Sequence, residues 1–272
     1  MLPAPLYNGA MQTGERIGQG RTADFYAVGP WALKLLRRGY SSKEVLAEAQ
    51  KSLAAARAGL PVPAVLAILE QDGRSGILYE RVKGPTMLDR ILAKPWRAFV
   101  YARQLARLHV LVHSKKAPEL ISFNQRLQHA IERNNDLAPR LQAAILSLLA
   151  SLPAGDSFCH GDFHPANIII TEQQPVIIDW LDAGQGNSLA DVARTQMLFT
   201  IPRLSMPAPR RFLIDLLRAG ALQAYLDEYF TLLPGGKSQL NDWLTVVLAA
   251  RLAEQVPGEK EVIITRLARQ FK

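Results

Sequence analysis

The residues with the clearest chemical potential lie near the middle of the chain, in the segment His160-Gly-Asp162-Phe-His164-Pro-Ala-Asn167. A second aspartate, Asp179, follows Asn167 by twelve positions. Transfer of a γ-phosphoryl group needs a carboxylate that accepts the proton of the attacking hydroxyl, and it needs oxygen ligands for the Mg²⁺ that accompanies a nucleoside triphosphate. Asp162 is the candidate proton acceptor, and Asn167 and Asp179 are the candidate magnesium ligands. The pattern therefore predicts phosphoryl transfer.

The two candidate magnesium ligands are expected to lie close together. Residues 167–171 and 175–179 are β-branched runs separated by a short polar segment, which predicts two strands joined in a hairpin. In an antiparallel pair, the start of the first strand lies beside the end of the second. Asn167 and Asp179 would then meet at one end of the hairpin.

These residue types also occur in other kinds of site. His160 and His164 raise the possibility of a zinc site, but no further His or Cys cluster completes a tetrahedral set of ligands. A single Asp or Asn beside a strand is commonly a turn former. Three such residues at this spacing favour phosphoryl transfer instead.

A nucleotide-binding region is expected near the N-terminus, where residues 17–25 contain Gly18 and Gly20. Their exposed backbone could approach phosphate groups. A dinucleotide-binding turn would require a helix to begin here, whereas Gly29-Pro30 interrupts any helix. The sequence instead predicts two strands around a glycine-rich turn and a third strand over residues 31–36. Ala23 stands where a kinase-type loop has its third glycine, so the loop match is partial.

Lys34 lies within the apolar third strand, where an unpaired ammonium group would be costly. Ser41 and Glu44 form a capping box for the helix that follows. Because the cap engages Glu44, Glu48 is the candidate partner of Lys34, and the pair would position phosphates. The alternative is a lysine on an edge strand and a solvated glutamate. The apolar face of this helix is expected to consist of four residues: Leu46, Ala49, Leu53 and Ala56.

The segment 160–167, together with Ile178-Asp179-Trp180 and Asp191-Val-Ala, resembles the aminoglycoside phosphotransferase and choline kinase superfamily. The resemblance implies a two-lobed, protein-kinase-like α+β fold. A small N-terminal antiparallel-sheet lobe with one helix is followed by a larger, mainly helical lobe. We expect nucleotide binding in residues 1–82, and catalysis and acceptor binding in residues 83–272.

The resemblance also implies roles for individual residues. Asp162 would be the catalytic base, and Asn167 and Asp179 would hold Mg²⁺. His160 would support the catalytic loop, and Asp191 would brace that loop from a following helix. For Asp191, the alternative is that it only complements the N-terminus of its helix.

Further expectations follow from the same resemblance. The backbone around Glu80 and Val82 would form the hinge that hydrogen-bonds the adenine. Backbone recognition leaves little trace in the side chains, so the sequence does not separate ATP from GTP as the donor. His109 closes a Leu-Ala-Arg-Leu-His stretch and is expected to be a packed structural residue. One departure from the family pattern is residues 186–188, Gly-Asn-Ser, where Gly-Asp-Pro is common.

The rest of the chain has a helical pattern. A helix is expected around Tyr101, Leu105, Leu108 and Val112. One or two more are expected within residues 124–152. Later helices are expected near residues 189–200, 209–231, 237–255 and 259–270.

Composition agrees with a folded protein. The chain has 272 residues, 49% of them hydrophobic, with a formal net charge of +8. This length allows two lobes with their own cores. The basic residues occur as scattered pairs rather than as a run interleaved with aromatic residues, so we expect a nucleotide partner rather than nucleic acid.

Cysteine content and hydropathy bear on location. The single cysteine, Cys159, excludes an intrachain disulfide and is expected to be packed rather than reactive. No signal-peptide pattern is present, and the most apolar stretch, residues 141–152, is too short to span a bilayer. We therefore expect a cytoplasmic protein without a membrane partner. Nothing in the sequence indicates an oligomeric state.

The acceptor is expected to be a small molecule with a hydroxyl group: an aminoglycoside, an amino alcohol or a sugar. A polycationic aminoglycoside should be held by several carboxylates. From residue 185 onward, eight acidic residues stand against eleven basic ones, so no acidic cleft is obvious. A catalytically silent nucleotide-binding regulator is the alternative from another class. A protein kinase is disfavoured because the late region lacks an Ala-Pro-Glu segment.

Overall fold

The computed structural model describes residues 6–7, 13–20, 22–40, 42–201 and 208–271. The chain forms two compact units. The first comprises Met1–Asp89 and Ala166–Asp182, and the second comprises Arg90–Pro165 and Ala183–Lys272. The assignment of nucleotide binding to residues 1–82 and of catalysis to residues 83–272 concerns function and stays a prediction.

The first unit is built on a sheet whose described strands are β1 Leu6–Tyr7, β2 Arg16–Gln19, β3 Ala23–Val28, β4 Trp31–Leu36, β5 Val65–Gln71 and β6 Arg74–Glu80. Their order in the sheet is β1-β5-β6-β4-β3-β2. The neighbouring strands pair antiparallel, except for the two-residue β1, which pairs parallel with β5. Asp72 and Gly73 both have positive φ between β5 and β6. An Asp-Gly pair is favoured in such a two-residue hairpin turn.

Helix α1, Ser42–Arg57, packs on one face of this sheet against β5 and β6. Side chains alternate along β4, so Leu33 and Leu35 face away from α1 while Lys34 and Leu36 lie on its side. The core under the helix consists of Ala23, Leu36, Val45, Ala49, Ile68 and Ile77.

The buried face of α1 differs from the predicted one. Leu46 is 41% exposed, whereas the polar side chains of Glu48 and Ser52 are buried. A hydrophobic pattern cannot detect a face that buries polar groups with partners, which explains the difference. Ser41 of the predicted capping box lies outside the described residues.

The predicted hairpin is present in the first unit. Strand β8, Ile168–Ile170, pairs antiparallel with β9, Pro175–Ile177, and Ile168 faces Ile177. The pairing continues one residue further, because the amide of Ile178 donates to the carbonyl of Asn167 at 3.0 Å. Asn167 and Asp179 therefore lie at the same end of the hairpin, as the sequence predicted.

The second unit is mainly helical, and the long α7, Ala208–Leu232, packs along α3, Ala98–His113. The approach is close, since a Cβ at Gly220 would lie 2.6 Å from the Phe99 ring. Helix α8, Leu240–Arg251, is almost entirely buried and packs against helices on several sides. The helices that follow α1 are α2 Met87–Ala93, α3 Ala98–His113, α4 Phe123–Glu132, α5 Pro139–Ser151, α6 Ser188–Thr200, α7 Ala208–Leu232, α8 Leu240–Arg251 and α9 Lys260–Gln270.

Apart from α2, which the sequence did not predict, these helices match the expected segments, with one difference. The segment predicted over residues 237–255 is α8 flanked by two 3₁₀ turns, Lys237–Gln239 and Leu252–Glu254. Strands β7, Ser157–Cys159, and β10, Gly184–Gly186, form a separate antiparallel pair. Cys159 is buried, as expected, and burial raises the pKa of its thiol. Among the described residues, no helix is both long and apolar enough to cross a bilayer.

Residues 186–188 are Gly-Asn-Ser where the family commonly has Gly-Asp-Pro, and this segment still provides a helix cap. Asn187 is the N-cap of α6, and its side-chain oxygen accepts a hydrogen bond from the amide of Leu189 at 2.9 Å. Its side-chain amide donates to the carbonyl of Pro153 at 3.0 Å. Asparagine therefore performs the capping that an aspartate would perform here.

We expect Asn187→Ala to lower the free energy of unfolding by about 1 kcal/mol, because it removes the cap of α6. Asn187→Asp should retain the cap and gain a favourable interaction with the helix dipole, but it should lose the hydrogen bond donated to Pro153. Urea denaturation followed by circular dichroism measures both variants. Equal stability of Asn187→Ala and the wild type would show that the cap contributes nothing.

Candidate active site

A buried ion pair joins two predicted site residues in the first unit. The Nζ of Lys34 lies 2.6 Å from the Oε1 of Glu48, and the two residues are only 3% and 1% exposed. The hydroxyl of Tyr79 also donates to this carboxylate, at 3.2 Å. The predicted pairing is therefore present, and the alternative of a surface lysine with a solvated glutamate is wrong.

Lys34 has a second partner that was not predicted. Its Nζ lies 3.0 Å from the Oδ1 of Asp179, a residue 145 positions away in the chain. Burial alone would lower the pKa of Lys34, but Asp179 and Glu48 together outweigh burial and raise it. The ammonium group is therefore charged, and it sits between a buried carboxylate and a candidate metal ligand.

The candidate magnesium ligands have suitable chemistry. Asn167 and Asp179 supply an amide oxygen and a carboxylate, the kind of donors that Mg²⁺ prefers. The Asp179 side chain is 38% exposed although Lys34 beside it is buried, so solvent reaches this carboxylate. Asp179 adopts the left-handed conformation, with φ of 64°, directly after the β8–β9 hairpin. Asp and Asn adopt this conformation more readily than most residues.

The two glycines of the N-terminal turn are not required by packing. A Cβ at Gly18 or Gly20 would meet its nearest neighbour at 3.6 or 3.5 Å, which is ordinary contact. Neither glycine has positive φ. The amide of Gly20 donates to the carbonyl of Ala23 at 2.8 Å, which closes the turn. The intervening Arg21 lies outside the described residues.

The predicted hinge follows β6, which is the last strand of this sheet in sequence order. Glu80 ends β6, and its amide donates to the carbonyl of Ala64 at 2.9 Å. Val82 lies two residues beyond and is half-buried. Their role in binding a nucleotide base stays a prediction.

Asp162 and His160 belong to the second unit. His160 is fully buried, and its Nδ1 accepts a hydrogen bond from the amide of Asp162 at 3.2 Å. The Asp162 side chain is 28% exposed, and its Oδ2 lies 3.3 Å from the Nε2 of His164. A buried histidine thus supports a loop whose aspartate reaches solvent.

Helix α6 holds the backbone that precedes Asp162. The carboxylate of Asp191 accepts hydrogen bonds from the amides of His160, at 2.5 Å, and Gly161, at 2.9 Å. Asp191 therefore braces the loop as the resemblance implied, and the alternative of a helix-terminus role alone is insufficient.

Two further residues of α6 contact this loop and were missed by the sequence analysis. The Nε of Arg194 donates to the carbonyl of Gly161, and the hydroxyl of Thr195 donates to the carbonyl of Phe163, both at 2.9 Å. The sequence indicated these two residues only through their positions. Residues three and four places after Asp191 lie on the same face of the helix as Asp191.

A second layer of polar residues surrounds Asp191. The Nε2 atoms of His109 and His113 lie 3.1 and 3.4 Å from its Oδ2. On their other ring nitrogen, these histidines bond the hydroxyls of Tyr225 and Tyr229 at 2.6 and 2.7 Å. His109 is fully buried and stacks on the Phe163 ring, as expected for a packed residue. Helices α3 and α7 thus support α6 at the position of Asp191.

Burial and charge set the protonation of these groups. Burial lowers the pKa of His109 to about 3, with a further contribution from His113, so the ring is neutral near pH 7. Burial would raise the pKa of Asp162, but the hydrogen bond and charge of His164, followed by the charge of Arg194, outweigh it and lower this pKa. Asp162 is therefore ionised and able to accept a proton.

Comparison with known proteins gives consistent findings. A model of the phosphotransferase enzyme family matches residues 13–259. No curated protein sequence matches the chain. The structure is similar to an aminoglycoside-3'-phosphotransferase of type VIII, with a TM-score of 0.62 and 19% identity over 87% of this chain and 91% of that chain.

Two other solved structures are also similar. A choline/ethanolamine kinase family protein from Mesorhizobium loti has a TM-score of 0.60 and 15% identity, over 94% of this chain and 86% of that chain. A thermostable mutant of aminoglycoside phosphotransferase APH(4)-Ia, in a ternary complex with ADP and hygromycin B, has a TM-score of 0.62 and 15% identity, over 92% of each chain. At these identities the likeness establishes the fold, so the predicted kinase-like fold is confirmed.

We expect Lys34→Met to lower the free energy of unfolding by about 3–5 kcal/mol at neutral pH, because it leaves the buried Glu48 carboxylate unpaired. An unpaired buried carboxyl has a raised pKa in the folded state. The deficit should therefore shrink as the pH falls and Glu48 takes up a proton. Urea denaturation at a series of pH values measures it.

The control for Lys34→Met is Asp24→Asn, which weakens the more exposed pair between Asp24 and Arg74, 2.8 Å apart. This control should cost less than Lys34→Met, because the Asp24–Arg74 pair is less deeply buried than the Lys34–Glu48 pair. A pH-independent deficit in Lys34→Met, or one no larger than that of the control, would contradict a buried ion pair.

We expect His164→Ala to raise the pKa of Asp162, because His164 is the main group that lowers it. Carbonyl-detected NMR titration of the aspartates measures this pKa, with Asp162→Asn providing the assignment. The exposed His129 supplies the control His129→Ala. An Asp162 titration that is the same in both histidine variants would contradict the contact with His164.

Proposed function

The chain belongs to the phosphotransferase enzyme family, and we propose that it transfers the γ-phosphoryl group of ATP to a hydroxyl group of a small-molecule acceptor. The observation that carries the proposal is the cluster of Lys34, Glu48 and Asp179 in the first unit. These residues are far apart in sequence, and folding brings a buried, charged ammonium group beside a solvent-accessible carboxylate. Such a pair suits a metal-bound polyphosphate.

The nucleotide would be bound by the first unit. Lys34, oriented by Glu48, would contact phosphate oxygens. Gly18 and Gly20 would allow the backbone to approach the phosphates, since packing gives no other reason for glycine there. The backbone near Glu80 and Val82 would bind the base. ATP is the proposed donor because a structural relative was solved with ADP.

Asn167 and Asp179 would hold Mg²⁺, and their oxygen donors fit that ion. When bound, Mg²⁺ neutralises negative charge on the phosphates. Residues of the chain would supply the other functions, which are phosphate binding and acceptance of the proton. Lys34 would also keep Asp179 oriented, because it contacts one oxygen of that carboxylate.

Asp162 would accept the proton of the acceptor hydroxyl. It is ionised and partly exposed, and its backbone is fixed by His160 and α6, so little reorganisation is needed before reaction. A positioned general base contributes typically about 10²–10⁴-fold to the rate. Its lowered pKa makes it a modest base, which suits a reaction in which little proton transfer precedes bond breaking.

The acceptor is proposed to be an aminoglycoside, an amino alcohol or a sugar. The relatives named above support a small molecule with hydroxyl groups, since one was solved with hygromycin B and another belongs to the choline/ethanolamine kinases. The basic excess after residue 185 gives no preference for a polycationic acceptor.

The test is ADP release from Mg²⁺ and ATP in the presence of aminoglycosides, amino alcohols, sugars and nucleosides. One acceptor class should stimulate release by the wild type. Asp162→Asn preserves shape but cannot accept the proton, so its turnover should fall by about 10²–10⁴-fold. ATP binding by Asp162→Asn, measured by calorimetry, should be unchanged.

Asp179→Asn is the companion variant, and it should weaken the Mg²⁺ dependence of ATP binding. If the wild type binds ATP but no acceptor stimulates ADP release, a nucleotide-binding regulator would replace the proposed enzyme. Equal turnover by the wild type and Asp162→Asn would remove Asp162 from the role of base.

A further inference from the structure

A series of alternating charges lies in the second unit and ends at the catalytic loop. The Nη1 of Arg194 lies 2.5 Å from the Oε1 of Glu254. The other oxygen of Glu254 contacts the Nη1 of Arg251. Arg251 also forms a bidentate ion pair with Glu259, with N–O distances of 2.7 and 3.1 Å. We call these four residues the charge chain.

The charge chain connects elements that are distant in sequence. Arg194 is on α6, Arg251 ends α8, Glu254 lies in the following 3₁₀ turn, and Glu259 is the N-cap residue of α9. Arg194, Arg251 and Glu259 are buried, whereas the Glu254 side chain is 25% exposed. The turn between α8 and α9 is thereby joined to α6 through side-chain contacts.

Stability alone is a weak reason for burying these charges. Desolvation of buried ions often cancels their attraction, and apolar residues of similar volume can serve stability equally well. A buried ionic network is better explained where it fixes the orientation of a particular group. Here that group is the guanidinium of Arg194.

Arg194 contacts the peptide group that joins Gly161 to Asp162. Its Nε donates to the carbonyl of Gly161, and the amide of the same peptide group, that of Asp162, donates to the Nδ1 of His160. Both ends of the peptide group that precedes Asp162 are therefore held. Gly161 has φ of 81°, a conformation open mainly to glycine, so the side chain of residue 161 contributes no packing to fix the turn. External partners must fix it instead.

The fork of the guanidinium explains why the carboxylate of Glu254 matters. Arginine presents its donors in a rigid plane. When Glu254 holds Nη1, the direction of Nε towards the Gly161 carbonyl is set. A lysine at position 194 has one nitrogen and cannot reproduce two separated contacts in this plane.

We propose that Arg194 is a positioning residue for Asp162, and that Glu254, held by Arg251 and Glu259, fixes Arg194 in its working orientation. The assignment of Asp162 as the base rests on the proposed function, whereas the positioning of the loop does not. Arg194 also supplies positive charge near Asp162, which helps to keep that carboxylate ionised. The turn between α8 and α9 thus belongs to the support of the catalytic loop.

Three variants test the positioning role. Arg194→Met removes both contacts, and Arg194→Lys retains the charge but cannot make both contacts. Glu254→Gln keeps the shape and an acceptor oxygen but removes the charge. The control is Glu228→Gln, which alters the ion pair between Glu228 and Arg107, 2.7 Å apart, in the same unit.

The first readout is steady-state turnover of Mg²⁺ and ATP with the best acceptor, or with water if none is found. Misplacement of a reacting group by about 1 Å can cost about 100-fold in rate. We therefore expect about that loss of kcat in Arg194→Met and Arg194→Lys, with the KM for ATP unchanged. Glu254→Gln should lose less, and the control should match the wild type. A loss caused by general unfolding would instead lower the amount of active protein and the melting temperature.

The second readout is amide hydrogen exchange of residues 160–164 in the unliganded protein. Exchange at Gly161 and Asp162 should be faster in the three variants and unchanged in the control, with the rest of α6 still protected. This readout needs no turnover, so it decides the positioning role even if the wild type proves inactive. If Arg194→Met does not fold, Arg194→Lys and Glu254→Gln carry the test. Wild-type exchange and wild-type kcat in the folded variants would overturn the proposal.

Discussion

A carboxylate that is buried away from solvent must be balanced by nearby hydrogen-bond donors. For Asp191 those donors are the amides of His160 and Gly161 on one side, with the imidazoles of His109 and His113 close by on the other. The loop that carries Asp162 is therefore held by a group that would itself be unstable without the loop. This mutual dependence explains why α3, α6 and α7 converge on one side chain.

The same principle operates in the first unit with the charge reversed. There a buried ammonium group, that of Lys34, is balanced by Glu48 and Asp179. Among the described residues, each unit thus contains a buried charge with a partner that is proposed to take part in phosphoryl transfer or to support the residue that does. Burial makes these contacts strong and also makes the loss of either partner costly.

Local patterns in the sequence predicted much of this structure. The hairpin that carries Asn167 and Asp179, the strand that contains Lys34 and the series of later helices follow from periodicity and turn residues. The pairing of Lys34 with Glu48 followed from the cost of a buried ammonium group. The family resemblance supplied the fold class and the brace role of Asp191.

Other features depend on long-range packing and left little local signal. The contact between Lys34 and Asp179 depends on how the hairpin seats on the sheet. Arg194 looks in the sequence like any helical arginine, and its role depends on a carboxylate 60 positions later. The buried face of α1 was misassigned for a related reason, because its polar residues are buried only with partners that the sequence cannot place.

The left-handed conformation of Asp179 affects how any mutation at this position should be interpreted. For most L-residues this conformation costs roughly 1–2 kcal/mol. An alanine here would therefore remove a carboxylate and strain the backbone at the end of the hairpin in one step. A loss of function in an alanine scan would mix geometry with ligand chemistry. Asparagine tolerates the same backbone, so it separates the two effects and is the informative substitution at this position.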